Sequence, residues 1–257
     1  MIRGVFFDID GTLLPETEPR VPQSTKEAIL RLKEQGILVF AATGRHLLEI
    51  NDLPLGDIPF DGYVLLNGQL CLDGSHQVLY DNEMKGSDKE KMLQIFWRKD
   101  LPVMIIEKDR MYINTVNETV EKAQFEIHTP VPEVKEYEGE KIYQFVVYAA
   151  NGDVLGSLEE KLPHCKITYW NPNAVDVIAR DGGKMNGIRQ MLRYYHLTSE
   201  EIIAFGDGEN DRDMLSYAGI GVAMGNAGHS LKQIADYVTG SADKDGIRDA
   251  LRHFGLL

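Results

Sequence analysis

Two carboxylates one residue apart, Asp8 and Asp10, close an apolar run near the start of the chain, in Val5-Phe6-Phe7-Asp8-Ile9-Asp10-Gly11-Thr12-Leu13. Val5-Phe6-Phe7 is short, apolar and aromatic, which predicts a strand buried on both faces of a parallel sheet. Gly11 breaks the strand. Open α/β sheets place their ligands at the carboxyl ends of the strands, so this strand delivers both acids to that edge. Buried acids cost free energy unless a cation neutralises them. Mg2+ suits such a site because it prefers oxygen ligands and commonly takes one or two carboxylates with water and phosphate. An ordinary acidic turn after a strand is the competing reading, and a motif this short does not separate the two.

The rest of the chain alternates strands with helices. Residues 15–22 read as a polar loop. Ser24 with Glu27 reads as a capping box, opening a helix whose inward side is Ala28, Ile29 and Leu32. Gly36 ends it. The apolar run 37–42 is a second strand, ending in Thr43-Gly44-Arg45, and a short helix follows. Tyr63-Val64-Leu65-Leu66 is a third strand, ending in Asn67-Gly68. This order calls for a parallel sheet with right-handed crossovers.

The pattern then changes. Residues 70–80 read as a hairpin about Asp73-Gly74, and 103–107 with 111–114 as another about Asp109-Arg110. Helices are expected over 87–100, 117–126 and 154–161, and strands over 143–150, 167–170 and 175–178. Paired strands with two or three helices imply an α+β module with an antiparallel sheet, placed at 84–180. The first pattern resumes with a helix from Gly183-Lys184, inward at Ile188, Met191 and Leu192. A strand over 202–205 ends in Gly206-Asp207-Gly208-Glu209-Asn210-Asp211. A helix through Met214, short strands over 220–224 and 237–239, and a closing helix over 245–254 complete it. The expected architecture is therefore a doubly wound α/β domain built from 1–83 and 181–257, with an α+β module inserted.

Composition narrows the function. A chain of 257 residues buries a sizeable core as one or two domains. Its net charge of −13 argues against nucleic acid as partner. Cys71 and Cys165 lack metal-ligand spacing and read as reduced core thiols, as in a cytoplasmic protein. No signal peptide or membrane span is evident.

Three strands end in polar clusters, Asp8/Asp10, Thr43-Gly44-Arg45 and Asp207/Asn210/Asp211, and Lys184 opens a helix. In a parallel sheet all of them lie on one edge. Carboxylates from two strands would hold a divalent cation, and a hydroxyl, backbone N–H groups and a lysine would surround an anion beside it. Each part alone has a plain alternative: Thr43-Gly44 a turn, Lys184 a solvated lysine, Asp207 and Asp211 helix caps.

These four clusters resemble the four motifs of the haloacid dehalogenase superfamily: the run from Asp8, then Thr43, then Lys184, then the run from Gly206 to Asp211. Ala42-Thr43-Gly44-Arg45 and the ending Asp245-Gly246-Ile247 resemble the Cof-type branch, with its large cap (type IIB) and bacterial sugar-phosphate phosphatases. In that branch Gly usually follows the motif-three lysine; here Met185 follows and Gly187 comes two positions later. The resemblance implies a Mg2+-dependent phosphatase acting on a small phosphorylated metabolite. Asp8 would attack phosphorus, and Asp10, crowded by Asp8 and Asp207 into sharing a proton, would serve as acid and then base. The metal would be held by Asp8, the main chain of Asp10 and Asp207, with Asp211 orienting Asp207 or a bound water. Thr43, Gly44 and Asn210 would hold the phosphate with Lys184, and Arg45 would reach the substrate or anchor the cap.

The inserted module is expected to close over the site as a lid and to choose the leaving group near Trp170, Asn171, Asn173 and Asp176. Alternatively, Trp170 is core and Asn171-Pro172-Asn173 a turn. A phosphomutase using the same aspartyl-phosphate is one rival function. A non-enzymatic phospho-acceptor is another, against which Asp10 and the insertion speak.

Overall fold

The computed structural model describes residues 1–17, 20–56, 58–127, 129–150 and 152–257. Glu18 and Pro19 of the expected 15–22 loop lie outside the described residues. The chain forms two compact units, Met1–Tyr80 with Gly183–Leu257, and Asp81–Gly182.

In chain order, the first unit opens with β1 (Gly4–Phe7), α1 (Gln23–Glu34), β2 (Leu38–Ala42), α2 (Leu47–Asp52), β3 (Gly62–Leu65), β4 (Leu70–Asp73) and β5 (Val78–Asp81). The second unit holds α3 (Gly86–Arg98), β6 (Val103–Ile106), β7 (Met111–Ile113), α4 (Glu118–Glu126), β8 (Gln144–Tyr148), α5 (Gly152–Lys161), β9 (Cys165–Asn171) and β10 (Ala174–Ala179). The first unit then resumes with α6 (Lys184–Tyr195), β11 (Ile202–Gly206), α7 (Arg212–Tyr217), β12 (Ile220–Ala223), α8 (His229–Ile234), β13 (Tyr237–Val238) and α9 (Gly246–His253).

The larger sheet has the order β13-β12-β11-β1-β2-β3-β4-β5. From β13 to β3 every pairing is parallel, and β4 turns antiparallel to β3. β1 lies at the centre, with Phe7 level with Phe205 on one side and Ala41 on the other. Successive connections leave β1 towards opposite edges, so the crevice outside β1 and β11 is the topological switch point where such sheets bind ligands. The apolar runs predicted for β1 and β11 are buried throughout, and those for β2, β3 and β12 nearly so. Phe6 and Phe40 stack beneath Ile188, Met191 and Leu192 of α6, the three residues expected to face inward. α1 and α9 pack together elsewhere on the unit.

The helix α6 approaches the sheet closely because Gly187 has no side chain. A Cβ there would overlap Val64 and the Gly68 backbone. The departure from the Cof-type pattern at Met185 therefore leaves the helix starting at Lys184, with its close contact supplied by Gly187.

Two local expectations fail. Ser24 is not an N-cap: Pro22 takes that place, α1 begins at Gln23, and the Ser24 hydroxyl donates to Asp245 instead. Proline's fixed φ suits the helix entry, and α1 starts two residues earlier than the Ser-x-x-Glu pattern implies. The six-residue α8 has no counterpart in the sequence reading, since its one fully buried residue, Leu231, leaves no periodic apolar signal.

The second unit is an antiparallel sheet of order β7-β6-β8-β10-β9. Met92 and Phe96 of α3 and Leu155 and Leu158 of α5 pack with Phe145, Val147, Val175 and Val177 of its strands. Among the described residues no helix is long and apolar enough to cross a membrane.

Candidate active site

Asp8, immediately after β1, is buried, and its main-chain N–H donates to Phe205 across the sheet. Lys184, the first residue of α6, is fully buried and donates from Nζ to Asp8 Oδ1 and Asp211 Oδ1, each at 2.5 Å. Asp211 is equally buried, and its Oδ2 accepts from the N–H groups of Asp207 and Gly208, both at 2.9 Å. It thus holds the turn that presents Asp207 while pairing with the lysine. Asp207 receives Thr12 Oγ1 on Oδ1 at 2.9 Å and Asn226 Nδ2 on Oδ2 at 3.1 Å. Gly11, at φ +74°, lets Asp207 come this near; a Cβ there would overlap its carboxylate.

Carboxylate oxygens of Asp8, Asp207 and Asp211 lie within 4.8 Å of one another. Three acids face one ammonium, and the electrostatics follow. Burial first, then Asp211, push the Asp8 carboxyl well above its ordinary value against the pull of Lys184. Burial and Asp211 push Asp207 up to about 7. Burial alone would lower Lys184, but Asp211 and Asp8 outweigh it and keep the ammonium charged. Oxygen donors with an excess of negative charge fit a hard divalent cation.

Asp10 departs from expectation. The carboxylates gathered at the centre are those of Asp8, Asp207 and Asp211, and the charge of Asp10 bears on Asp8 as well. Asp10 is exposed and sits in the fork of Arg45, with Nε to Oδ2 and Nη2 to Oδ1 both 2.7 Å. Arg45 therefore has a partner that sequence reasoning did not weigh.

Thr43 is buried, and its Oγ1 accepts from the Arg45 N–H at 3.1 Å. Gly44 lies against the carboxamide of Asn67. Asn210 Nδ2 donates to Asn67 Oδ1 at 3.2 Å. Asn67 and Asn226 were not singled out in the sequence. Asn67 carried a signal, since it stands at a strand's carboxyl end like the other clusters. In the second unit, Trp170 meets Tyr148 edge-on, Asn171 Nδ2 donates to Glu126, and Asn171 Oδ1 caps the turn at Asn173 N–H. Asp176 is buried in β10.

A doubly wound sheet with this strand-end constellation matches the model of the haloacid dehalogenase-like hydrolases over residues 5–251, and the chain belongs to that family. It is similar to BT1666 from Bacteroides thetaiotaomicron, a phosphatase of the HAD superfamily, at a TM-score of 0.91 and 31% identity, covering 100% of this chain and 96% of that one. It is also similar to the HAD subclass IIB sugar phosphatase BT4131, at a TM-score of 0.87 and 33% identity, covering 99% and 100%. In sequence it is similar to the 5-amino-6-(5-phospho-D-ribitylamino)uracil phosphatase YcsE of Bacillus subtilis, 28% identical over 259 residues, or 99% of this chain and 96% of that protein. Family and relatives define the class, a phosphoric monoester hydrolase.

Proposed function

We propose that this chain is a Mg2+-dependent phosphatase of small phosphorylated metabolites, chiefly sugar phosphates, working through an aspartyl-phosphate on Asp8. The supporting observation is the buried Asp8–Lys184–Asp211 chain of ion pairs with Asp207 beside it. An oxygen of Asp8 attacks phosphorus, and the ester P–O bond breaks. Asp10 gives its proton to the leaving oxygen. Water then attacks the aspartyl-phosphate, Asp10 takes the water's proton, and inorganic phosphate leaves with Asp8 restored. Lys184 fixes the aim of Asp8 and balances its charge. Thr43, the N–H of Gly44 and Asn210 hold the phosphoryl oxygens. Mg2+, held by Asp8, Asp207 and the main-chain oxygen of Asp10, would neutralise charge on the transferring group.

The sugar-phosphate class follows the likeness to BT4131, and leaving-group choice is assigned to the inserted unit. Two buried free thiols, Cys71 and Cys165, support a cytoplasmic setting. The deciding experiment measures phosphate release from sugar phosphates, nucleotides and pyridoxal phosphate, with Mg2+ and after chelation. Release from sugar phosphates that stops on chelation is expected. Transfer to a second sugar without free phosphate would replace this reading by a phosphomutase.

A further inference from the structure

Asn67 touches the Thr43-Gly44 turn, Gly183 just before Lys184, and Asn210 through its own atoms. It is buried, and its backbone is left-handed at φ 53°, ψ 40°. Such a conformation is uncommon for a residue with a side chain, and asparagine is among the few that adopt it routinely. Its N–H donates to the Thr43 carbonyl at 3.0 Å, and its own carbonyl accepts from the Gly183 N–H at 2.9 Å. The first contact fixes the turn that carries Thr43 and Gly44. The second fixes the residue from which α6 and Lys184 begin. Gly68 follows, and a Cβ there would overlap the Gly183 carbonyl. Meanwhile Oδ1 accepts from Asn210 Nδ2 at 3.2 Å, and the same carboxamide packs on Gly44.

The division of labour is clear. Backbone groups brace Thr43 and the start of α6, while the side chain orients Asn210 and supports Gly44. The acidic cluster is made by Asp8, Asp207 and Asp211. We propose that Asn67 is a positioning residue for phosphate: its carboxamide sets the orientation of Asn210 and the place of Gly44 without belonging to the metal site. The proposal rests on the phosphatase reading above, because it takes Gly44 and Asn210 as phosphate-holding groups.

Asn67→Gly separates the two roles. Glycine keeps the left-handed backbone and its two main-chain hydrogen bonds, and removes only the carboxamide. The full chain is titrated calorimetrically with inorganic phosphate in saturating Mg2+, and separately with Mg2+ alone. Losing one neutral hydrogen bond from an oriented donor is expected to weaken phosphate binding about 5- to 10-fold. The KM for p-nitrophenyl phosphate should rise by a similar factor, and the Mg2+ dissociation constant should stay within about twofold. Because Asn67 acts through Asn210, adding Asn67→Gly to Asn210→Ala should cost less than it does in the wild-type background. Asn67→Asp, which retains an acceptor for Asn210, supplies a second variant for the Mg2+ titration and a folding control by circular dichroism.

Phosphate affinity within twofold of wild type in folded Asn67→Gly overturns the proposal. So does a parallel fall in Mg2+ affinity, which would mark general damage, or full additivity with Asn210→Ala. A wild-type protein that binds Mg2+ but no phosphate overturns the phosphatase reading itself, a different result from any of these.

Discussion

Arg45 grips both carboxylate oxygens of Asp10 at 2.7 Å, from Nε and from Nη2. The guanidinium is held in turn by Glu49, 3.9 Å away, whose other oxygen accepts from the His46 N–H at the start of α2. A helix terminus thus orients the acid proposed to handle the leaving group's proton. A planar fork makes two parallel bonds that an ammonium cannot reproduce.

Arg45→Lys should therefore lower kcat on alkyl phosphates about 10- to 100-fold, the scale of a lost charge-assisted hydrogen bond. p-Nitrophenyl phosphate, whose leaving group needs little protonation, should lose much less. Equal losses on both substrates would detach Arg45 from the work of Asp10.

Asp8→Asn keeps size and removes one of three crowded acids, leaving Lys184 paired with Asp211. Turnover should vanish, and the melting temperature of metal-free protein should hold or rise. A folded variant retaining more than a few per cent of activity would exclude Asp8 as nucleophile.

Thr12 and Asn226 pin the two oxygens of Asp207, and Asn226 is itself oriented by the Ala242 N–H at 3.1 Å and donates to the Gly11 carbonyl at 2.8 Å. Residues that orient metal ligands typically change metal affinity by about 10- to 100-fold when removed. Asn226 is exposed, so the lower end is expected for Asn226→Ala, and a larger loss for Thr12→Val, whose hydroxyl is buried. Calorimetric Mg2+ titration reads the effect as a changed dissociation constant at unchanged stoichiometry. Unchanged constants in both variants would mean that Asp207 is not a ligand or needs no orientation.

Asp207, raised to about 7, and Asp8, raised by burial, both bind protons more tightly in the native state than in the unfolded chain. The sign follows: metal-free stability is fully present below the unfolded carboxylate value, about 4, and declines as pH rises towards 7. In chelator, the melting temperature of wild type should fall relative to that of Asp207→Asn between pH 5 and 8. Mg2+ should close the gap. A gap that does not change with pH would contradict the shifted carboxyls.

The strands and the strand-end motifs were legible because apolar runs and local order carry them: β1, β2 and β11 stand within a residue or two of their expected places. Asn67, Asn226 and the Arg45–Asp10 pair were not. Each depends on partners distant in sequence, as when Asn226 reaches Gly11 across 215 positions, and no periodicity records such a contact. Ser24 shows the converse, a local pattern overruled because Pro22 starts the helix and a distant Asp245 takes the hydroxyl.

The burial of Lys184 bears on synthesis of the chain. Its bond to Asp8 closes a loop of 176 positions, and its second partner, Asp211, emerges later still. While the ribosome is making the intervening residues, Asp8 has no Lys184 to pair with and β1 has no β11 beside it. The reactive centre cannot be complete until Asp211, which follows the whole inserted unit in the chain, has been made. A truncated or stalled product that ends before Asp211 would hold Asp8 yet have no working centre.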